Sequence, residues 1–294
     1  MNKTYYFMAG LPRSGSSLLS ALLNQHPDIY SSPNSPVVGL MMALENQLST
    51  DEMYSANPKL EQAKETIASP MYHYHSDIEK PVIIDKNRSW MNRPHYIEEY
   101  FNIEPKILCP VRDIDEIFAS FLDIVHRNPT ISEDGTMNFI DQMLLRQGLK
   151  HTDQNRCMIM GDIEMGILGQ SYEAMKQMID NQQAHMIHFI EYNDLVNNTQ
   201  ETLDKVYKFL GVESFANTLS DVKSNEVLND SGSYGLADMH TIRSEISSRK
   251  LNPKEILPEE VYKTVQNMEF WRSVVDRSEK SFAKKDHFSN FIGK

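Results

Sequence analysis

The stretch that decides the fold is Thr4-Tyr5-Tyr6-Phe7-Met8-Ala9-Gly10-Leu11-Pro12-Arg13-Ser14-Gly15-Ser16-Ser17-Leu18-Leu19. A β-rich apolar run leads into a loop with two glycines, and this loop opens an amphipathic helical pattern. The order strand, glycine loop and helix is typical of a loop that binds phosphate or sulfate. The glycines permit a tight turn, and the helix N-terminus offers free N–H groups and partial positive charge. The sequence therefore predicts an anion site formed by Gly10, Pro12, Arg13, Ser14, Gly15, Ser16 and Ser17.

The loop differs from the one that binds nucleoside triphosphates. That loop reads G-x-x-x-x-G-K-[ST], and its lysine contacts the β- and γ-phosphates. Here Ser16 stands where the lysine would be, and the cation, Arg13, comes earlier. This arrangement suits a single phosphate with a charged group attached, bound without a metal ion.

The rest of the chain alternates short β-rich runs with longer helical patterns. The predicted strands are Thr4–Ala9, Asp28–Ser31, Pro81–Asp85, Lys106–Val111 and Ala184–Ile190. Strands separated by helices imply βαβ units, so we expect an α/β protein with a three-layer P-loop-type fold, in which helices flank a central, mostly parallel sheet. We expect a single domain over residues 1–275, helical insertions at about 36–70 and 128–182, and a polar tail over 276–294.

A second anchor follows the fourth predicted strand. Arg112 lies at the end of that strand, and Ser120 lies about two turns into the next helical pattern. In open α/β sheets ligands bind at the carboxyl ends of the strands. An arginine at such an end and a serine on the adjoining helix suit one anion held from two sides.

Charge and composition exclude several classes of protein. With 29 basic and 41 acidic residues the net charge is −12, which disfavours nucleic acid or an anionic membrane as the main partner. No apolar run approaches the roughly 20 residues of a membrane-spanning helix, and the N-terminal apolar run is too short for a signal peptide. Cys109 and Cys157 suit neither a metal site nor a disulfide framework, so we expect packing thiols and a cytoplasmic protein.

The glycine loop, the Arg112–Ser120 spacing and their order resemble the sulfotransferases that use 3'-phosphoadenosine 5'-phosphosulfate (PAPS). The runs Asp85-Lys86-Asn87-Arg88 and Glu191-Tyr192-Asn193-Asp194-Leu195 are similar to further motifs of that family. The resemblance implies that the loop holds the 5'-phosphosulfate and that Arg112 and Ser120 hold the 3'-phosphate. It is nearest to the tyrosylprotein-sulfotransferase-like branch, but the glutamate base of that branch has no counterpart in Ser31-Ser32-Pro33-Asn34-Ser35-Pro36.

Sulfuryl transfer needs a cation at the departing phosphate oxygen and, for a weakly acidic acceptor, a base. We assign the first role to Arg13 with Lys86. Asp85 is the leading candidate for the base. The alternative interpretation is that Asp85 only pairs with Lys86 or Arg88. His73, His75 and Glu45 are the alternatives.

The late segment 232–243 joins a flexible stretch to basic residues. By similarity to late loops that close over the nucleotide, His240 and Arg243 are expected to contact the 3'-phosphate. A solvated loop is the competing interpretation. We expect the acceptor to be a small molecule, carbohydrate or peptide with a hydroxyl group. No feature of the sequence identifies it further. A P-loop kinase of small molecules and a catalytically inactive nucleotide-binding relative remain as rival functions.

Overall fold

The computed structural model describes residues 3–133, 135–224, 228–242, 246 and 251–279. Five strands form one sheet in the order β2-β3-β1-β4-β5, and all four pairings are parallel. The strands are β1 (Thr4–Met8), β2 (Ile29–Ser31), β3 (Val82–Lys86), β4 (Ile107–Val111) and β5 (Ile187–Glu191). The five predicted strands and the parallel sheet are confirmed, with ends that shift by one to three residues.

Helices fill the connections between the strands. They are α1 (Ser16–Leu23), α2 (Val37–Thr50), α3 (Glu52–Ala56), α4 (Leu60–Tyr74), α5 (Pro94–Phe101), α6 (Ile114–Arg127), α7 (Phe139–Arg146), α8 (Asp153–Gly161), α9 (Ile167–Asp180), α10 (Tyr192–Asn197), α11 (Thr199–Leu210), α12 (Asp230–Tyr234), α13 (Pro253–Ile256), α14 (Glu259–Val265) and α15 (Phe270–Glu279). Among the described residues, no helix has the length and apolar character needed to cross a membrane.

The two faces of the sheet each bury an apolar layer, because successive strand side chains point to opposite faces. Phe7 of β1 packs with α2, α6 and α9 on one face, and the next residue, Met8, packs with α1 and α11 on the other. The same alternation sends Cys109 of β4 to the first layer and Leu108 to the second. The fold is therefore the expected three-layer α/β arrangement.

The strand order brings three strand ends together at one edge. β1 pairs with β3 on one side and with β4 on the other. The loop that leaves β1 therefore begins between these two neighbouring strands. Met8, Lys86 and Leu108 lie in register across these three strands. In open parallel sheets such a switch point is where ligands bind. The glycine loop, Lys86 and Arg112 all lie at this edge.

Gly10 is held against the neighbouring strand, because a Cβ there would lie 2.3 Å from the carbonyl oxygen of Pro110. We predict that Gly10→Ala lowers the free energy of unfolding by about 1–3 kcal/mol, the usual cost of overpacking, as measured by urea denaturation. Gly39→Ala is the matched control, since a Cβ at that helical position would meet no described atom within 4 Å beyond the adjacent backbone of its own helix. It should be neutral or stabilising by up to about 1 kcal/mol. Equal stability of the two variants would contradict the close approach.

Candidate active site

The glycine loop connects β1 to α1 through two residues with left-handed backbone. Arg13 has φ 60° and Gly15 has φ 85°. Left-handed backbone is uncommon for a residue such as arginine and is often found at functional sites. Gly15 is the N-cap of α1 and gives it no side-chain cap. The first N–H groups of a helix have no partner within the helix, so the first turn of α1 offers donors for an anion.

The second predicted anchor contacts the loop directly. Arg112, which follows β4, donates from Nη1 to the carbonyl oxygen of Arg13 at 3.3 Å. Ser120, on α6, accepts from Nε of Arg13 at 3.3 Å. The guanidinium carbon of Arg112 lies 4.3 Å from the ring centroid of Tyr192, and Nε donates to Glu116 at 2.8 Å. The sequence-predicted residues Arg13, Arg112 and Ser120 thus form one cluster.

Two guanidinium groups lie close together in this cluster, and Glu116 pairs with the one of Arg112. Burial, together with a smaller effect of the nearby positive charge of Arg112, lowers the pKa of Arg13 to about 10. Arg13 still carries its charge at neutral pH, but two close guanidinium groups repel each other in a site that water enters poorly. A bound anion relieves that repulsion and favours the charged forms. The electrostatics therefore suit an anionic ligand at the switch point.

Lys86 is the second predicted cation at this edge, at the end of β3. Its side chain is 9% exposed, and its ammonium lies 3.5 Å from the hydroxyl oxygen of Ser17. Burial lowers the pKa of Lys86 to about 7, with a further contribution from the positive charge of Arg88. An anion beside Lys86 would reverse this shift.

These groups line one cavity of about 660 Å³, within the range of roughly 300–1,000 Å³ usual for small-ligand sites. Of the residues predicted to bind a ligand or to act in the reaction, its wall includes Gly10, Pro12, Arg13, Gly15, Ser16, Ser17, Lys86, Arg112, Ser120 and His240. Arg243 lies outside the described residues.

Sequence reasoning assigned no binding role to three further residues of this wall, namely Arg88, Arg127 and Tyr192. The positions of two of them in the sequence could have indicated a binding role. Tyr192 directly follows β5, so it lies at a strand end like Arg112. Arg127 comes seven residues after Ser120, two turns further along the same face of α6.

The late segment forms the outer wall of the cavity. The main-chain carbonyl of Met239 accepts a hydrogen bond from Nη1 of Arg13. The side chain of Asn128, the C-cap of α6, accepts from the backbone N–H of Ala237 at 2.8 Å. These contacts hold residues 237–240 across the mouth of the glycine loop.

Two of the side chains predicted from the sequence do not line the cavity. Ser14 is fully buried, and its hydroxyl donates to the carbonyl oxygens of Leu11 and Pro110, so this side chain braces the loop and does not face the cavity. Asp85 is also fully buried and lies outside the cavity wall. Its carboxylate accepts from Trp90 Nε1 at 2.7 Å and lies 2.8 Å from Nε2 of His75. Asp85 and His75 therefore form a buried structural pair rather than a base at the cavity.

The two remaining candidates for the base also lie outside the cavity wall. His73 is exposed near the end of α4, where its Nδ1 lies 2.9 Å from the carbonyl oxygen of Ser69. Glu45 on α2 accepts from the hydroxyls of Tyr96 and Tyr100. All four carboxylates and imidazoles chosen from the sequence as the base thus face other parts of the protein.

The fold that positions this site is that of a known class of enzymes. Residues 6–217 match the model of the sulfotransferase family. The chain belongs to this family and is a sulfotransferase. No curated protein sequence matches the chain.

Solved structures of sulfotransferases are similar to this one. Mouse sulfotransferase SULT7A1, complexed with PAP, shares 14% identity over 96% of this chain and 91% of its own, with a TM-score of 0.51. The sulfotransferase domain of the Synechococcus PCC 7002 olefin synthase shares 20% identity over 73% and 75%, with a TM-score of 0.45. The sulfotransferase of Alicyclobacillus acidocaldarius shares 13% over 78% and 87%, with a TM-score of 0.45. At these identities the likeness to the mouse enzyme establishes the fold. The tyrosylprotein-like branch stays a prediction.

Proposed function

We propose that this sulfotransferase moves the sulfuryl group of PAPS to a hydroxyl group of its acceptor, and that one nucleotide spans two anion sites. The glycine loop with Arg13 holds the 5'-phosphosulfate, and Arg112 with Ser120 holds the 3'-phosphate. The observation that carries the assignment is the contact of Arg112 Nη1 with the main chain of Arg13 at 3.3 Å. This contact supports the proposal that one molecule binds with its two anionic ends at neighbouring strand ends.

The cations of the cavity match the charge of this donor. Arg13, Lys86 and Arg112 converge at the switch point of a chain whose net charge is −12. A cavity that concentrates positive charge in an acidic protein is selective for a small anion over a polyanion, because the outer surface repels large polyanions. Binding without a metal ion and a cytoplasmic location stay predictions.

In the proposed reaction the acceptor oxygen attacks sulfur in line with the bond to the 5'-phosphate oxygen. That S–O bond breaks, its electrons remain on the phosphate oxygen, and 3'-phosphoadenosine 5'-phosphate (PAP) departs. Transfer through a loose transition state depends on positioning and on stabilising the leaving oxygen. Arg13 and Lys86 stabilise that oxygen, because both line the cavity beside Ser17 at the start of α1.

The experiment that tests this proposal is incubation of the protein with PAPS and a panel of phenols and alcohols, with PAP release followed by chromatography. We expect acceptor-dependent release of PAP and a sulfated product. Binding of PAP without release from PAPS, in the presence of any acceptor or of water, would identify an inactive relative. Phosphate transfer from ATP–Mg²⁺ to the panel would identify a kinase instead.

The low pKa of Lys86 predicts proton uptake on ligand binding. The side chain is partly neutral near pH 7 in the free protein, and a bound anion restores its charge. The affinity for PAP should therefore fall as the pH rises above about 7. Calorimetric titration at pH 8 in two buffers of different ionisation enthalpy measures the number of protons taken up. At that pH the ligand phosphates are already ionised, since their second pKa is about 6.

Lys86→Met is the control for this measurement. The wild type should take up a larger fraction of a proton per PAP bound than the variant does. Equal uptake by the two proteins would mean that Lys86 does not titrate on binding.

A further inference from the structure

His240 of the late segment forms a hydrogen-bonded acid–histidine pair with Asp230, which lies two residues before that segment. Nδ1 of His240 lies 2.6 Å from Oδ1 of Asp230, and the backbone N–H of His240 donates to Oδ2 of the same carboxylate at 2.8 Å. Asp230 is buried at the start of α12, whereas the side chain of His240 is 22% exposed. Burial raises the pKa of the Asp230 carboxyl, but the hydrogen bonds from His240 and the charge of Arg13 outweigh this and hold the pKa below its ordinary value.

An ionised Asp230 fixes which histidine nitrogen is available. A carboxylate only accepts hydrogen bonds, so Nδ1 carries the proton that faces it and Nε2 is left as the acceptor. Nε2 of His240 has no hydrogen-bond partner within the part of the chain that the structure describes, and His240 lines the cavity. The pair therefore leaves a nitrogen free to accept a hydrogen bond on a residue of the cavity wall.

The pair lies near the cations that are assigned to the leaving oxygen. Met239, the residue before His240, accepts a hydrogen bond from the Arg13 side chain. Burial lowers the pKa of Arg13 and of Lys86, and the Asp230 carboxylate opposes this lowering at both side chains. Asp230 is therefore within electrostatic reach of the two cations assigned to the leaving oxygen.

Other carboxylates and imidazoles suit the role of base less well. Asp85, His75, His73 and Glu45 do not line the cavity. Asp238 does line it, but its side chain is exposed and accepts a hydrogen bond from Thr241 at 3.1 Å. Unlike His240, it has no second group that orients it.

We propose that His240 is the general base that removes the proton of the acceptor hydroxyl and that Asp230 positions it. This proposal rests on the proposed sulfuryl transfer. The acceptor proton moves to Nε2 of His240 while the acceptor oxygen forms its bond to sulfur and the bond from sulfur to the 5'-phosphate oxygen breaks. The imidazolium that results keeps its Nδ1–H bond to the Asp230 carboxylate, which stabilises it. His240 is thereby reassigned from the 3'-phosphate contact expected from the sequence.

The test compares acceptors whose hydroxyl protons differ in acidity. PAP release from PAPS is measured with phenol, which holds its proton near neutral pH, and with 4-nitrophenol, which is largely ionised there. We expect His240→Ala to lower turnover with phenol by about 100-fold or more, since general-base help is worth roughly 10²–10⁴-fold. Turnover with 4-nitrophenol should fall far less, because an ionised acceptor needs no base. If neither phenol is accepted, the release of PAP by hydrolysis replaces the phenol measurement, since water also holds its proton tightly.

Two further variants separate the base from other roles. Asp230→Asn keeps the side-chain shape but loses the charge. Its turnover should also fall more with phenol than with 4-nitrophenol, but by a smaller factor than in His240→Ala. His73→Ala, an exposed histidine away from the cavity, should leave both acceptors unchanged. The affinity of His240→Ala for PAP, measured by calorimetry, should stay close to that of the wild type.

Three outcomes would overturn the proposal. An equal loss with both phenols would mean that His240 does not take the proton. A loss of PAP affinity as large as the loss of turnover would make His240 a phosphate ligand, as the sequence suggested. A wild-type protein that releases no PAP from PAPS with any acceptor, water included, would remove the proposed function itself, and the base with it.

Discussion

Replacement of Arg13 by alanine is expected to lower the turnover of PAPS by about 10²–10³-fold, the usual cost of removing one preorganised donor to developing charge. The affinity for PAP should fall much less. Arg13 lies in the glycine loop with left-handed backbone, and its guanidinium is held by Ser120 and by the main chain of Met239. Because these contacts fix its position before the ligand binds, its charge stabilises the leaving oxygen without reorganisation. Steady-state kinetics and calorimetry measure the two quantities.

Arg13→Lys and Arg146→Ala are the controls for this prediction. Lysine keeps the charge but lacks the planar fork that contacts Ser120 and Met239, so it should restore only part of the turnover. Arg146 is an exposed arginine near the end of α7, away from the cavity, and its removal should change nothing. An Arg13→Ala variant that loses turnover and PAP affinity by equal factors would show that Arg13 only binds.

Arg112→Ala is expected to weaken the binding of PAP by about 10- to 100-fold, which corresponds to the roughly 1.5–3 kcal/mol of a hydrogen bond to a charged group. Adenosine 5'-phosphate, which lacks the 3'-phosphate, should lose little affinity. The reason is the position of Arg112, which is buried, lines the same cavity as Ser120 and is held by Tyr192 and Glu116. Calorimetric titration of both ligands into both proteins gives the difference directly.

The folding of the variant has to be checked, because a general loss of structure would also weaken the binding of PAP. The thermal midpoint of Arg112→Ala without ligand should remain high enough for a folded protein at the temperature of titration. If the variant loses the same factor for PAP and for adenosine 5'-phosphate, Arg112 does not contact the 3'-phosphate.

The parts of the fold that depend on local sequence were predictable. Each strand of the central sheet is short, apolar and followed by a loop or helix, and this pattern alone gave five strands in parallel. The positions of the glycine loop and of the Arg112–Ser120 pair could also be predicted, because each lies within a single strand–helix unit. Their contact in space follows from the pairing of β1 with β4.

The position of Asp85 away from the cavity has a simple physical origin. Asp85 and Lys86 are neighbours at the end of β3, and neighbouring side chains of a strand point to opposite faces. The structure directs Lys86 to the cavity and Asp85 to Trp90 and His75. A fully buried strand carries no alternation of polar and apolar residues that would reveal which side faces the ligand.

Other features depend on contacts between distant segments. Asp230 and His240 are ten residues apart in a stretch with no regular period, and only the folded chain brings His240 to the glycine loop. Similarly, the methionine-rich stretch 158–178 is divided between α8 and α9. A Cβ at Gly166 would lie 2.4 Å from the carbonyl oxygen of Met160, so the turn between these helices depends on close packing.

The central claim is that one adenine nucleotide with two phosphate ends bridges Arg13 and Arg112. The most direct measurement is a thermal-shift series of the wild-type protein with PAP, adenosine 5'-phosphate and ATP–Mg²⁺. A ligand at 100 times its Kd stabilises the folded state by about 2.7 kcal/mol. We predict that PAP raises the unfolding midpoint at far lower concentration than the other two. Stabilisation by ATP–Mg²⁺ and none by PAP would contradict the account.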